Sequence, residues 1–84
     1  MRYEGRVQGV GFRATTHALA SGFEVTGWVR NEPDGSVLME AQGAREDVGA
    51  FITSLESKMD RFIVSTAEDA LPVHEGERGF EIRR

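Results

Sequence analysis

The chain has 84 residues, with 10 Lys+Arg against 14 Asp+Glu, 2 His, no Cys and a formal net charge of −4. That length holds one domain spanning residues 1–84, because domains typically run to ~100–150 residues and a second core needs more chain. With no Cys there is no disulfide, no thiol nucleophile and no CxxC metal site, and two isolated histidines, His17 and His74, do not make a zinc centre. The acid excess has the wrong sign for coating nucleic acid or anionic lipid. The longest uninterrupted apolar run is about three residues, against ~18–20 for a membrane helix, and the opening residues do not read as a signal peptide. A small cytoplasmic globular domain is expected, with one discordant feature. This acidic chain opens on a glycine-rich, arginine-bearing segment, GRVQGVGFR at residues 5–13.

Residues 2–7 alternate, with Tyr3, Gly5 and Val7 on one side and Arg2, Glu4 and Arg6 on the other, which predicts a half-buried strand. Gln8-Gly9-Val10-Gly11 interrupts it as a loop. From Phe12 to about Ser21 the spacing turns helical: Phe12, Thr16, Leu19 and Phe23 recur at three or four, and Gly22 is the expected stop. Residues 24–31 are β-rich, with Val25, Gly27 and Val29 facing one way and Thr26, Trp28 and Arg30 the other. Asp34-Gly35 then signals a hairpin into a returning strand over 37–42. Residues 45–59 carry the strongest helical stripe, Val48, Phe51, Ile52, Leu55 and Met59, with Glu46 and Asp47 near the N-terminal end of the dipole. A strand over 62–67, an acidic loop over 68–78 with a short strand at 71–74, and a last strand over 79–83 complete the chain.

The order β-α-β-β-α-β, plus a short extra C-terminal strand, predicts an α+β, ferredoxin-like sandwich. Its sheet is mostly antiparallel and both helices cover one face. The first two strands are then parallel with another between them. The loop after the first strand and the end of the second, at Arg30 and Asn31, therefore emerge at one edge.

The 8–13 loop, Gln8, Gly9, Val10, Gly11, Phe12 and Arg13, sits between a strand and a helix. Glycines let successive N–H groups converge on one point, and the first amides of the helix point the same way. A nest of this kind with a guanidinium at its rim suits a phosphate dianion. Arg13 adds the possibility of two parallel N–H bonds to phosphate oxygens. The plainer reading is a tight turn that serves helix-on-sheet packing, with Arg13 solvated. Asn31 has two readings as well: a turn residue, or an amide that orients a water molecule or polarises a substrate oxygen. Trp28 reads as packing rather than a stacking platform, Arg30 as a solvated strand residue, and His17 as a surface residue rather than a base.

The segments GRVQGVGFR (5–13), GWVRN (27–31), PDGSV (33–37) and a following QG together resemble the acylphosphatase family. The resemblance is close over residues 5–43, including the fourteen-residue step from Arg13 to Gly27, and looser over the second helix and the closing GFEIR. It implies the same sandwich. It also implies that Gln8 to Arg13 cradle phosphate, that Arg13 is the phosphate-binding arginine and that Asn31 positions the attacking water. The implied reaction is hydrolysis of a carboxyl-phosphate anhydride to carboxylate and orthophosphate, with no metal, cofactor, nucleotide or covalent intermediate. No general base stands out among the residues. The chain departs from the family pattern at its short first strand and at Glu24, where the family often has glycine. In some members the C-terminal carboxylate lies near the arginine, here a matter for Arg84.

The expected partner is a small acyl phosphate, with no nucleic acid and no membrane, and the expected state is a monomer. Two other readings stand beside the enzyme. One is a non-catalytic anion-binding or interaction module on the same fold. The other is a domain of a larger maturation enzyme handling carbamoyl phosphate, against which Met1 beside the first strand suggests a complete small protein.

Overall fold

The computed structural model describes residues 1–67 and 79–83. The expected loop over 68–78, its strand at 71–74, His74 and Arg84 lie outside the described residues. The elements run β1 (Arg2–Gly5), α1 (Phe12–Ala20), β2 (Val25–Asn31), β3 (Val37–Gly43), α2 (Arg45–Lys58), a 3-10 turn (Asp60–Phe62), β4 (Ile63–Ala67) and β5 (Phe80–Arg83). They form one five-stranded sheet in the order β4-β1-β3-β2-β5. Only the β2–β5 pairing is parallel among these ladders. β3 pairs antiparallel with both β1 and β2, so β1 and β2 are themselves parallel across it. This is the ferredoxin-like α+β arrangement expected from the element order, with β5 as the extra strand on the β2 edge.

Register assigns the two faces. Tyr3 pairs with Val37, Val29 with Met39 and Val29 with Ile82, and cross-strand partners share a face. Tyr3, Val29, Val37 and Met39 are fully buried beneath Phe12 of α1 and Phe51 and Leu55 of α2. The α2 stripe thus does what its spacing predicts, with Met59 closing it just past the helix. The rings of Tyr3 and Phe12 lie 5.2 Å apart, and Phe51 meets Phe23 at 6.0 Å and Phe80 at 5.5 Å. Tyr3 Oη donates to Glu56 Oε2 at 3.2 Å, tying β1 to α2.

Among the described residues the opposite face carries no helix, and there Trp28 is covered by polar side chains. Its Nε1 donates to Glu40 Oε2 at 2.6 Å, and the guanidinium groups of Arg30 and Arg83 stack on its ring at 4.9 and 5.0 Å. Such stacking on indole is favourable. Arg30 therefore differs from the solvated residue expected: it packs on Trp28 and pairs with Glu32 at 3.0 Å.

Three boundaries differ from the sequence reading. β1 stops at Gly5, where its register with β4 shifts, although Val7 beyond it remains fully buried. α1 ends through short i→i−3 bonds, Gly22 N–H to Leu19 O at 3.0 Å and Phe23 N–H to Ala20 O at 3.2 Å. Gly22 does not adopt the left-handed conformation that would make it the stop. The hairpin between β2 and β3 is a three-residue loop, because Gly35 N–H bonds to Glu32 O and Glu32 N–H to Ser36 O. Only Gly35 has positive φ there, which fits a turn closed by a bulge rather than a two-residue Asp-Gly turn.

Candidate active site

The C-terminal ends of β2 and β5 and the loop leaving β1 meet at one sheet edge, as the parallel relation requires. Between them lies an open cleft of about 340 Å³, lined by Val7, Gly9, Gly11, Phe12, Arg13, Ala14, Asn31 and Ile82. Arg13 and Asn31, separated in sequence by α1, thus share one concavity.

The loop owes its shape to two glycines. Gly9 has φ 77° and Gly11 φ 81°, while among the described residues none other than glycine has positive φ. Left-handed residues of this kind are what an anion-binding nest of successive amides requires. Gly11 is also the N-cap of α1, and its carbonyl accepts the first helical bond from Thr15 N–H at 2.9 Å. The amides of Gly9 to Ala14 donate to no backbone carbonyl among the described residues. Those of Phe12, Arg13 and Ala14 are the orphan donors of a helix start. No side chain caps them. They form the positive end of the α1 dipole, which favours an anion.

The nest is anchored from beneath. Phe12 is 2% exposed and stacks on Tyr3, and burying a Phe side chain is worth about 1.5–3 kcal/mol. Thr16 Oγ1 donates to Phe12 O at 2.7 Å within the buried layer. Gln8 secures the other flank: its Nε2 donates to Glu32 O at 2.7 Å and to Ser36 O at 2.9 Å. The Gln8 side chain is thereby committed to the β2–β3 turn. Neither Gln8 nor Val10 is among the residues that line the cleft.

Arg13 is half-buried and makes no ion pair or side-chain hydrogen bond among the described residues. Asn31 lies on the helix-bearing face, two residues beyond Val29, and its side-chain amide likewise has no partner there. Both are left available to a ligand. Among the described residues no carboxylate and no histidine lines the cleft, and His17 is exposed on α1. The nearest acid in sequence, Glu32, is held by Arg30. An electropositive nest, one free guanidinium and one free amide can hold a tetrahedral oxyanion and a neutral nucleophile beside it.

Among the described residues no group of three or more His, Cys, Asp or Glu could hold a metal ion, and no helix is long and apolar enough to cross a membrane. Sequence reasoning places Gln8 in the loop but gives no role to its side chain, which ties the loop to the β2–β3 turn. It reads Ile82 only as a strand residue, whereas Ile82 lines the cleft.

Comparison with known proteins bears on the family and the fold. The acylphosphatase family model matches residues 1–82. An acylphosphatase of Salinibacter ruber is 42% identical over 84 residues, covering 99% of this chain and 88% of that protein. One from Oceanobacillus iheyensis is 51% identical over 59 residues, 70% of this chain and 65% of the other. Among solved structures, the acylphosphatase of Bacillus subtilis superposes with TM-score 0.78 at 28% identity, covering 99% of this chain and 93% of that one. A T. kodakarensis HypF superposes with TM-score 0.84 at 28% identity over 99% of this chain but 11% of its own. The chain belongs to the acylphosphatase family of hydrolases.

Proposed function

We propose that this domain hydrolyses acyl phosphates by direct attack of water on phosphorus. The backbone amides of the 8–13 loop and the Arg13 guanidinium hold the phosphoryl oxygens, and Asn31 holds the water in line. The observation that carries the reading is the cleft shared by Arg13, Asn31 and the unpaired amides of the Gly9–Gly11 nest.

The chemistry asks little beyond positioning and charge stabilisation. A carboxylate is a good leaving group, so the amides and Arg13 serve mainly to stabilise charge on the transferring phosphoryl group. Asn31 converts an encounter with bulk water into an oriented attack. The new bond joins the water oxygen to phosphorus, and the bond from phosphorus to the acyl oxygen breaks. The carboxylate leaves with that electron pair, and a water proton passes to a phosphoryl oxygen. This route uses no protein base, and the described lining of the cleft offers neither carboxylate nor imidazole.

The working form we assign is a single-domain cytoplasmic monomer acting on a small acyl phosphate, on the basis of the 84-residue length, the cysteine-free composition and the net charge of −4. Hydrolysis of benzoyl phosphate in ¹⁸O-water tests the reaction. Label appearing in orthophosphate and not in benzoate is expected. Label in benzoate, or no release of phosphate, contradicts the proposal.

A further inference from the structure

Ile82 is one of two large apolar side chains exposed among the described residues, at 44%. The other, Val64, lies on β4 at the opposite sheet edge. An exposed isoleucine is unremarkable alone, but this one lines the cleft that holds Arg13 and Asn31. Its register with Val29 places it on the helix-bearing face of β5, the outermost of the described strands on that side. Ala14, exposed at the start of α1, lines the same cleft. The cleft is therefore two-ended, with amides and a guanidinium at the loop and an aliphatic wall at β5.

An acyl phosphate has the same polarity, a dianionic head and a carbon-bearing tail. Once the head is fixed in the nest, the tail has to leave the cleft along one of its walls. We propose that Ile82 forms the acyl-group subsite and biases this enzyme toward acyl phosphates whose acyl group is aryl or larger alkyl rather than acetyl. The inference rests on the hydrolase reading for the identity of the head group. Covering the exposed Ile82 surface with substrate carbon removes apolar area from water, whereas an acetyl methyl covers little of it.

The test compares kcat/KM for benzoyl phosphate and acetyl phosphate in the wild type and in Ile82→Thr, which keeps β-branching and strand propensity. The benzoyl-to-acetyl ratio is expected to fall about fivefold, the scale of one or two lost carbon contacts in an apolar pocket. An unchanged ratio overturns the subsite, whether the two rates fall together or not at all. Binding of benzoylphosphonate and acetylphosphonate, followed by NMR, reads the same ratio without turnover. A wild type that hydrolyses neither substrate contradicts the hydrolase reading. The phosphonate ratio then decides the Ile82 wall separately, an unchanged value in Ile82→Thr overturning it.

Discussion

Gln8 and Glu32 are 24 residues apart in sequence, yet Gln8 Nε2 donates to the Glu32 carbonyl at 2.7 Å. With a second bond to Ser36 O at 2.9 Å, this side chain fastens the loop that carries Arg13 to the turn that follows Asn31. The distance between Arg13 and Asn31, the two groups proposed to act on substrate, is thus set by a side-chain bridge as well as by the sheet. Gln8→Ala removes both bonds, while the two turn carbonyls keep their backbone donors Gly35 N–H and Glu32 N–H. The loss of two hydrogen bonds costs about 1–3 kcal/mol. The urea midpoint should fall accordingly, and KM for benzoyl phosphate should rise as the nest loses its anchor. A variant with wild-type KM would show that the loop holds its shape unaided.

Gly27 and Gly11 are both left-handed, but for different reasons. At Gly27 (φ 149°) an added Cβ would overlap the Glu40 carbonyl on the neighbouring strand, whereas at Gly11 (φ 81°) it would meet nothing within 4 Å. Gly11→Ala is expected to cost only the conformational strain of about 1–2 kcal/mol. Gly27→Ala must also push β2 from β3, and should cost on the order of 3 kcal/mol or more. Urea unfolding of the two variants should separate them in that order, and equal midpoints would contradict the close approach.

Asp34 gives the hairpin a pH dependence. Hydrogen bonds from the Ser36 hydroxyl at 2.6 Å and the Ser36 amide at 2.9 Å hold its carboxyl below the ordinary value of 3.8, with Arg2 adding a smaller attraction. A carboxyl whose folded pKa is depressed stabilises the fold above the ordinary value and loses that contribution as pH falls through the lowered one. The wild type should therefore lose stability relative to Asp34→Asn as pH drops below 3.8. Parallel urea midpoints of the two proteins across that range would contradict this. The group is exposed, so the difference should be small and should shrink with added salt.

Local patterning carried most of the architecture. The α2 stripe was legible because one helix face does all its burial, and the hairpin because Asp34-Gly35 separates two β-patterned runs. Arg13 and Asn31 could be paired from sequence because a split β-α-β crossover brings those two ends to one edge. What remained hidden depends on long-range geometry. The bulge that ends β1 at Gly5 arises from its pairing with β4. Gln8 finds its acceptors 24 and 28 residues away. Ile82 acquires a place in the cleft only when β5 pairs in parallel with β2.

The division of labour between Arg13 and Asn31 is the centre of the account, and steady-state hydrolysis of benzoyl phosphate tests it most directly. Asn31→Ala should lower kcat by ~10²–10³ with a much smaller change in KM and in inhibition by orthophosphate, because it loses the oriented water and keeps the nest. Arg13→Gln should lower kcat by at least ~10² and also weaken orthophosphate inhibition, because the same guanidinium serves ground state and transition state. Wild-type kcat in either variant, or weakened orthophosphate inhibition in Asn31→Ala equal to that in Arg13→Gln, would contradict the assignment.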